Sequence, residues 1–382
     1  MVHRGANTLS EQRAADYVRR RLEERAPYTH TDAFHATDNP LAMLAAFYGE
    51  FVFVAIIAHW LPIVAFAYGV VVFFFYLAEH TGYATVSRLF PQYESQNVVA
   101  RIPAERPRGR IVVTAHYDTA REGLLTSPWV ERRARAFHFV LVFAMFCVLA
   151  GCALGAADPA GETIGAWAEL LRWSASALLA TVALGLLLTE VAGAGDSDAY
   201  ARGANDNASG VAALIALSGR LAREPLADCD VWFVATGSSA LWRSGMRHLM
   251  NDPELTSRPL WFIDINRVGA GPTALVVGEG LMYPFRNRRD VLRTLERDPN
   301  LGPLPRVFNA GYPSDLLLPL SRGYPAVGVT ALPPDAPAQA DADGARFDRP
   351  YDVRPERVIA ATDVAETLTR VARAWLIRQD KT

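Results

Sequence analysis

Asp206 sits in the run Gly203-Ala204-Asn205-Asp206-Asn207-Ala208-Ser209-Gly210, directly ahead of an amphipathic helical pattern over 211–223. A carboxylate at the mouth of a helix, flanked by small and amide residues, is aimed at a partner. Two more acceptor-rich points have the same setting. His116-Tyr117-Asp118 closes an apolar strand pattern over 110–115, and Asp264 closes another over 260–263. In open α/β sheets, the residues just past the carboxyl ends of the strands line the ligand crevice. One imidazole and two carboxylates converging there have the donor chemistry of a first-row metal site, zinc first among them.

Placing these residues side by side takes a sheet with helices on its faces. Strand patterns run over 97–102, 110–115, 230–236, 260–263, 274–277 and 326–330, and helical patterns over 9–24, 211–223, 240–251, 287–297 and 355–378. This alternation predicts a three-layer α/β domain with a mostly parallel central sheet. The Pro-, Ala- and Asp-rich stretch 331–348 reads as a loop.

The chain has 382 residues, enough for one large domain or two ordinary ones. With 38 basic and 40 acidic side chains it is near neutral, and nothing in its charge points to nucleic acid. Cys147 and Cys152 lie inside an apolar run and Cys229 is remote from both, so no disulfide framework or Cys-rich zinc motif is expected. They read as small buried hydrophobes.

Hydrophobic residues make up 51% of the chain, and the excess falls in two blocks. Residues 41–78 are almost continuously apolar, interrupted by Glu50 and by His59-Trp60-Leu61-Pro62. Read as two helices of about 18 residues, each reaches about 27 Å, enough for a thin hydrocarbon core. Glu50 reads as a protonated or helix-paired carboxylate inside that hairpin. A second hairpin joins 136–157 to 173–191 through a loop carrying Asp158, Glu162 and Glu169. The flanking segments are Arg-rich: 1–40 carries six Arg and no apolar stretch of signal-peptide type, and Arg132, Arg133 and Arg135 precede the second hairpin. The positive-inside rule then puts both termini and the folded domain in the cytoplasm, on a multi-pass protein of the cell's inner (plasma) membrane, with residues near Gly161 outside and Asn207 inside. The lipid bilayer is the first expected partner.

The segments Asn97-Val98-Val99-Ala100-Arg101-Ile102, Ile111-Val112-Val113-Thr114-Ala115-His116-Tyr117-Asp118 and Gly203 to Gly210 together resemble metallopeptidase family 28. That family comprises co-catalytic zinc aminopeptidases related to glutamate carboxypeptidase and glutaminyl cyclase. The resemblance follows family order through the C-terminal helix, and the membrane hairpin between the His-x-Asp and Asn-Asp-Asn motifs is not part of the usual soluble pattern. Combined with the apolar blocks, it gives an expected order of an N-terminal helix and cytoplasmic segment (1–40) and a transmembrane hairpin (41–78). Next come the first part of a peptidase-like domain (79–135), an inserted transmembrane hairpin (136–194) and the remainder of the domain (195–382). For the site, it implies His116 as a zinc ligand, with Asp118 fixing its tautomer from behind. Asp206 would bridge two zincs, Asp264 would complete the first zinc's shell, and Asp348 stands where the family has its last ligand, a His.

The other half of the site departs from the family. Where the family has Glu-Glu after the strand at 230–236, this chain has Ser238-Ser239. The first Glu is the family's general acid and base, and the second binds a zinc. A serine hydroxyl, unionised at neutral pH, does neither. Leu316 follows Ser314-Asp315 where the family commonly has His. Ser238 lies on a strand-to-helix turn, but Ala240 breaks the Gly-x-Ser-x-Gly pattern of a nucleophile elbow, so a helix N-cap role for Ser238 or Ser239 is expected. The resulting expectation is a membrane-anchored, catalytically impaired homologue holding at most one tightly bound zinc, with no catalytic residue of its own, and binding a peptide, a metal or a protein partner. The alternatives are an active single-metal hydrolase and a structural membrane subunit.

Overall fold

The computed structural model describes residues 3–37, 39–121, 128–158, 165–193, 200–240, 242–311, 313–332 and 348–379. Glu162, Gly161 and most of the 331–348 loop fall outside these residues. Along the chain the elements are α1 (Leu9–Glu23), β1 (Tyr28–Thr37), α2 (Pro40–Ile57), α3 (Pro62–His80), β2 (Gln92–Ile102), β3 (Gly109–His116), α4 (Pro128–Ala157) and α5 (Gly165–Gly193). Then follow α6 (Gly210–Arg223), β4 (Cys229–Thr236), α7 (Ser244–Leu249), β5 (Leu260–Ile265), β6 (Thr273–Glu279) and β7 (Phe285–Arg286). The last are α8 (Arg289–Arg297), β8 (Arg306–Asn309), α9 (Leu317–Ser321), β9 (Ala326–Ala331) and α10 (Pro355–Gln379). Contacts divide the chain into one unit of Met1–Asp38, Tyr93–Arg132 and Asp198–Thr382, and another of Asn39–Gln92 and Arg133–Ser197.

In the first unit, β3, β4, β5 and β9 are apolar on both faces, as strands covered by helices on each side must be. Ile111, Val113 and Ala115 of β3 and Val231, Phe233 and Ala235 of β4 pack with α1, α6 and α10. Val112, Trp232 and Val234 point the other way and pack with α7 and α9. The period-two alternation thus sorts one set of strands into two cores. Trp261 is fully buried, with Trp375 of α10 edge-on at 5.3 Å. Burying a side chain of this size contributes on the order of 3 kcal/mol.

The sheet is mixed, which corrects the expectation of a mostly parallel one. Strand order is β1-β2-β4-β3-β5-β9-β6-β7, with β8 beside β6. β4-β3-β5-β9 is parallel, but β2 runs antiparallel to β4, and β6 antiparallel to β9. The cause is connection length. Residues 103–108 between β2 and β3, and 266–272 between β5 and β6, are too few for a parallel crossover, so the chain turns back. The expected helix over 240–251 is also reduced to the short α7. Trp242 and Arg243 have φ of 58° and 56°, and Asn97 pulls the segment into a turn by accepting from Gly237 N and donating to the Gly245 carbonyl.

The second unit is built from α2, α3, α4 and α5, all long and apolar enough to cross a membrane. Large side chains such as Phe74, Phe143 and Leu188 are exposed on its surface, 60% or more each. α4 and α5 begin earlier than the apolar runs expected at 136 and 173. In α4, Arg135 reaches over the Phe139 ring at 5.7 Å, and in α5 the buried Arg172 pairs with Glu169 at 3.3 Å. Glu50 accepts a 2.6 Å hydrogen bond from Tyr68 of α3, the helix-paired state expected for it.

Candidate functional site

The turn that carries Asp206 is stapled to β5 by its neighbours. Asn207 donates to the Ile265 carbonyl at 2.8 Å and accepts from Arg267 N at 3.0 Å. Asn205 accepts from Gly269 N, and Ser209 from Val268 N. Gly203 takes φ of 63°, and a Cβ there would fall 2.3 Å from Thr119. At Gly210 a Cβ would fall 2.4 Å from the Ile265 carbonyl oxygen, so this helix start approaches the strand as only glycine allows. With the amides and the serine engaged on the end of β5 and the loop after it, Asp206 is left to face the strand ends.

His116, at the end of β3, places Nε2 3.1 Å from Asp206 Oδ1 and Nδ1 3.5 Å from Asp118 Oδ1. Asp118 is fully buried and accepts from Ala240 N at 2.9 Å. Burial opposes charge on His116, yet Asp118 and Asp206 hold its imidazolium well above the ordinary range. Burial would likewise raise Asp206, but Arg267 and His116 keep it far below the usual carboxylate range. Arg267 donates to Asp206 Oδ2 at 2.8 Å. Asp348 accepts from the backbone N–H groups of Asn205 and, at 2.6 Å, Asp206, so it caps the turn, and burial raises its pKa.

Asp264 is placed deeper. In the β3–β5 register Thr114 pairs with Asp264, so the residue level with His116 is Asn266. Asp264 accepts from Thr114 Oγ1 at 2.8 Å and lies 3.0 Å from Ser314 Oγ, which is also 2.9 Å from Glu279. Asp315 accepts from Thr236 Oγ1 and Ser239 Oγ. Burial and then the charge of Asp315 push Asp264 up to about 7; burial does the same to Glu279 and raises Asp315. The structure therefore brings His116, Asp118, Asp206 and Asp348 to one turn, and leaves Asp264 in a buried carboxylate group beside it.

Ser238 is fully buried, at φ of 47°, and turned toward α1: its hydroxyl donates to Asn7 Oδ1 at 2.9 Å and its N–H to Glu11 Oε1 at 2.9 Å. Neither serine caps a helix, because α7 starts only at Ser244, which corrects that expectation. Glu11 was missed by sequence reasoning, although a signal was there: it lies on the buried stripe of α1 with Ala14, Ala15, Val18 and Leu22. Arg267 and Asn266 were also missed. Their signal is position, directly after a strand that ends at the site.

Whether these residues suit a two-zinc centre is decided by what their donor atoms already do. Both oxygens of Asp206 face cationic or imidazole nitrogen, both oxygens of Asp348 accept backbone N–H, and both oxygens of Asp264 face hydroxyls. Among the described residues, no group of three or more His, Cys, Asp or Glu side chains is arranged to hold a metal. The donor set does not fit such a centre.

Residues 191–352 match the model of Peptidase family M28. No curated protein sequence matches the chain. Among solved structures, the chain is similar to a Zn-dependent exopeptidase from Parabacteroides distasonis at 11% identity and a TM-score of 0.51, covering 96% of this chain and 91% of that one. A glutaminyl cyclase from Porphyromonas gingivalis gives 12% identity and a TM-score of 0.49 over 98% and 93% of the two chains. An aminopeptidase from Aneurinibacillus gives 15% and 0.39, with 72% of this chain covering 48% of that one. At such identities the first likeness is one of fold. The Asp206 turn lies inside the matched segment, so residues 191–352 are similar to peptidase family M28, and the chain as a whole shares the fold of a Zn-dependent exopeptidase.

Proposed function

We propose that this chain is a membrane-attached family member that binds a peptide or protein segment at the strand ends around Asp206 and does not cut it. One observation carries the reading: Ser238 and Ser239 stand where the family has its two glutamates, and their hydroxyls are engaged by Asn7 and Asp315. Proton transfer by a positioned carboxylate is typically worth about 10²- to 10⁴-fold in rate. A serine hydroxyl bound to an acceptor supplies none of it. The four apolar helices support attachment to a bilayer, and the Arg-rich flanks support a cytoplasmic position for the α/β unit, at the inner (plasma) membrane.

The test is an aminopeptidase assay on the purified full chain with aminoacyl-amide substrates, alongside elemental analysis. Little or no cleavage is expected. A robust rate abolished both by chelator and by Asp206→Ala would refute the reading and establish a metal-dependent hydrolase.

A further inference from the structure

We propose that Arg267 is a built-in counter-ion that takes the place of a metal at Asp206, so that the site balances its charge with a side chain and not with an exchangeable divalent cation. A carboxylate can bridge two metals only if both oxygens are open to them. Here Oδ2 meets the Arg267 guanidinium at 2.8 Å and Oδ1 meets His116 Nε2 at 3.1 Å.

Arg267 is fixed at this place by its backbone. It takes φ of 55°, its N–H donates to Asn207 Oδ1 at 3.0 Å, and its carbonyl accepts from Ala331 N at 3.1 Å. The guanidinium is therefore aimed by the same Asn207 that staples the Asp206 turn to β5. The neighbouring donors agree with a site balanced without metal. Asn266, directly after β5, is a neutral amide and adds no negative charge at the strand ends. Asp348 spends both oxygens on the backbone of the turn. A second guanidinium, from Arg4, donates to the carbonyls of Tyr117 and Gly203 at 2.6 Å, within the field of Asp118, Asp348 and Asp206. A divalent ion added at Asp206 would lie roughly 5 Å from the Arg267 charge, and that repulsion weakens binding by at least about 100-fold.

The inference rests on the family reading only for the expectation that a metal belongs at Asp206. Its readouts leave out peptide cleavage, so zinc binding without turnover would overturn it and leave the proposed function standing. The full chain is purified in detergent as wild type, Arg267→Met and Arg267→Lys. Zinc is titrated into each, with zinc per chain after dialysis and the thermal midpoint as readouts. Wild type and Arg267→Lys are expected to retain no zinc and show no shift. Arg267→Met is expected to lose thermal stability, to bind zinc at least about 100-fold more tightly than wild type, and to regain its midpoint on zinc addition. Wild-type protein that keeps zinc through dialysis overturns the proposal, as does equal zinc affinity in wild type and Arg267→Met. If Arg267→Met does not fold, the Asp206→Asn, Arg267→Met double variant decides. Recovery of folded protein supports the counter-ion role, and failure to recover it overturns the role.

Discussion

Glu11 receives hydrogen bonds from Asn7 N, Ser95 Oγ and Ser238 N while fully buried. Burial, and then the charge of Asp118, lift its pKa from 4.5 to about 7. A raised folded-state pKa has a definite sign. Below pH 4.5 both folded and unfolded chains hold the proton, and the contribution to stability is complete. As pH climbs toward 7 the unfolded chain releases the proton first, and stability is lost, on the order of 1.4 kcal/mol per pH unit at most. Glu11→Gln is therefore expected to flatten the thermal midpoint between pH 4.5 and 7, and equal slopes in wild type and variant would refute the assignment. Ser238→Glu carries a related expectation. It sets a second carboxylate against Glu11 in a buried turn, so restoring the family residue there should destabilise the chain by a few kcal/mol, not revive activity. Only part of this was legible beforehand. His116, Asp118 and Asp206 were readable because each lies in a short local motif. Glu11 meets Ser238 across 227 positions of sequence, and Arg267 meets Asp206 across 61, and no local pattern encodes such pairs.

At the scale of elements, the strands read most easily were those buried on both faces, because a helix-covered strand is one apolar run. β1 was missed for the opposite reason. It is an edge strand whose first half, Tyr28-Thr29-His30-Thr31-Asp32, is polar and largely exposed. Strand direction was not legible either, since period-two patterning fixes which face is buried and not which way the neighbour runs. β1 is nonetheless tied to α7: Asp32 lies 3.0 Å from His248 Nε2, and Phe34 stacks on the His248 ring at 5.1 Å. The bond to Asp32 raises the His248 pKa, and the same bond lowers that of Asp32. The pair stabilises the fold only while both are charged. Its contribution is lost as pH rises through the His248 value, above 6.5, and as pH falls through the Asp32 value, below 3.8. Asp32→Asn should move the His248 NMR titration toward lower pH and cost under about 1 kcal/mol, since both groups are about a third exposed. An unmoved titration would break the link. In the second unit, a Cβ at Gly69 of α3 would fall 2.6 Å from Leu149 of α4 and 3.2 Å from Val54 of α2. Small residues at such crossings let apolar helices approach closely. Gly69→Leu should lower the thermal midpoint in detergent, whereas Gly49→Leu, with open space around its Cβ, should not; equal effects would refute this packing role.

At the scale of the whole molecule, the question is which side of a bilayer each connection occupies. The α2–α3 connection, 58–61, and the α4–α5 connection, 158–164, contain no Lys or Arg. The opposite ends carry Arg88 after α3 and Arg132, Arg133 and Arg135 at the start of α4. Basic residues within reach of helix ends tend to stay on the cytoplasmic side, and on the orientation proposed above both hairpin tips are expected outside. Asn207 is fully buried, so accessibility has to be read at an exposed neighbour, and Glu224, just past α6, serves. Gly165 opens α5 with free space where a side chain would stand. In a background lacking Cys147, Cys152 and Cys229, a membrane-impermeant maleimide applied to intact cells should label Gly165→Cys and leave Glu224→Cys untouched until the cells are lysed. Labelling of Glu224→Cys from outside would invert the topology and place the Asp206 site on the far side of the membrane. The peptide or protein bound there would then have to come from outside the cell, and the cytoplasmic reading would fall with it.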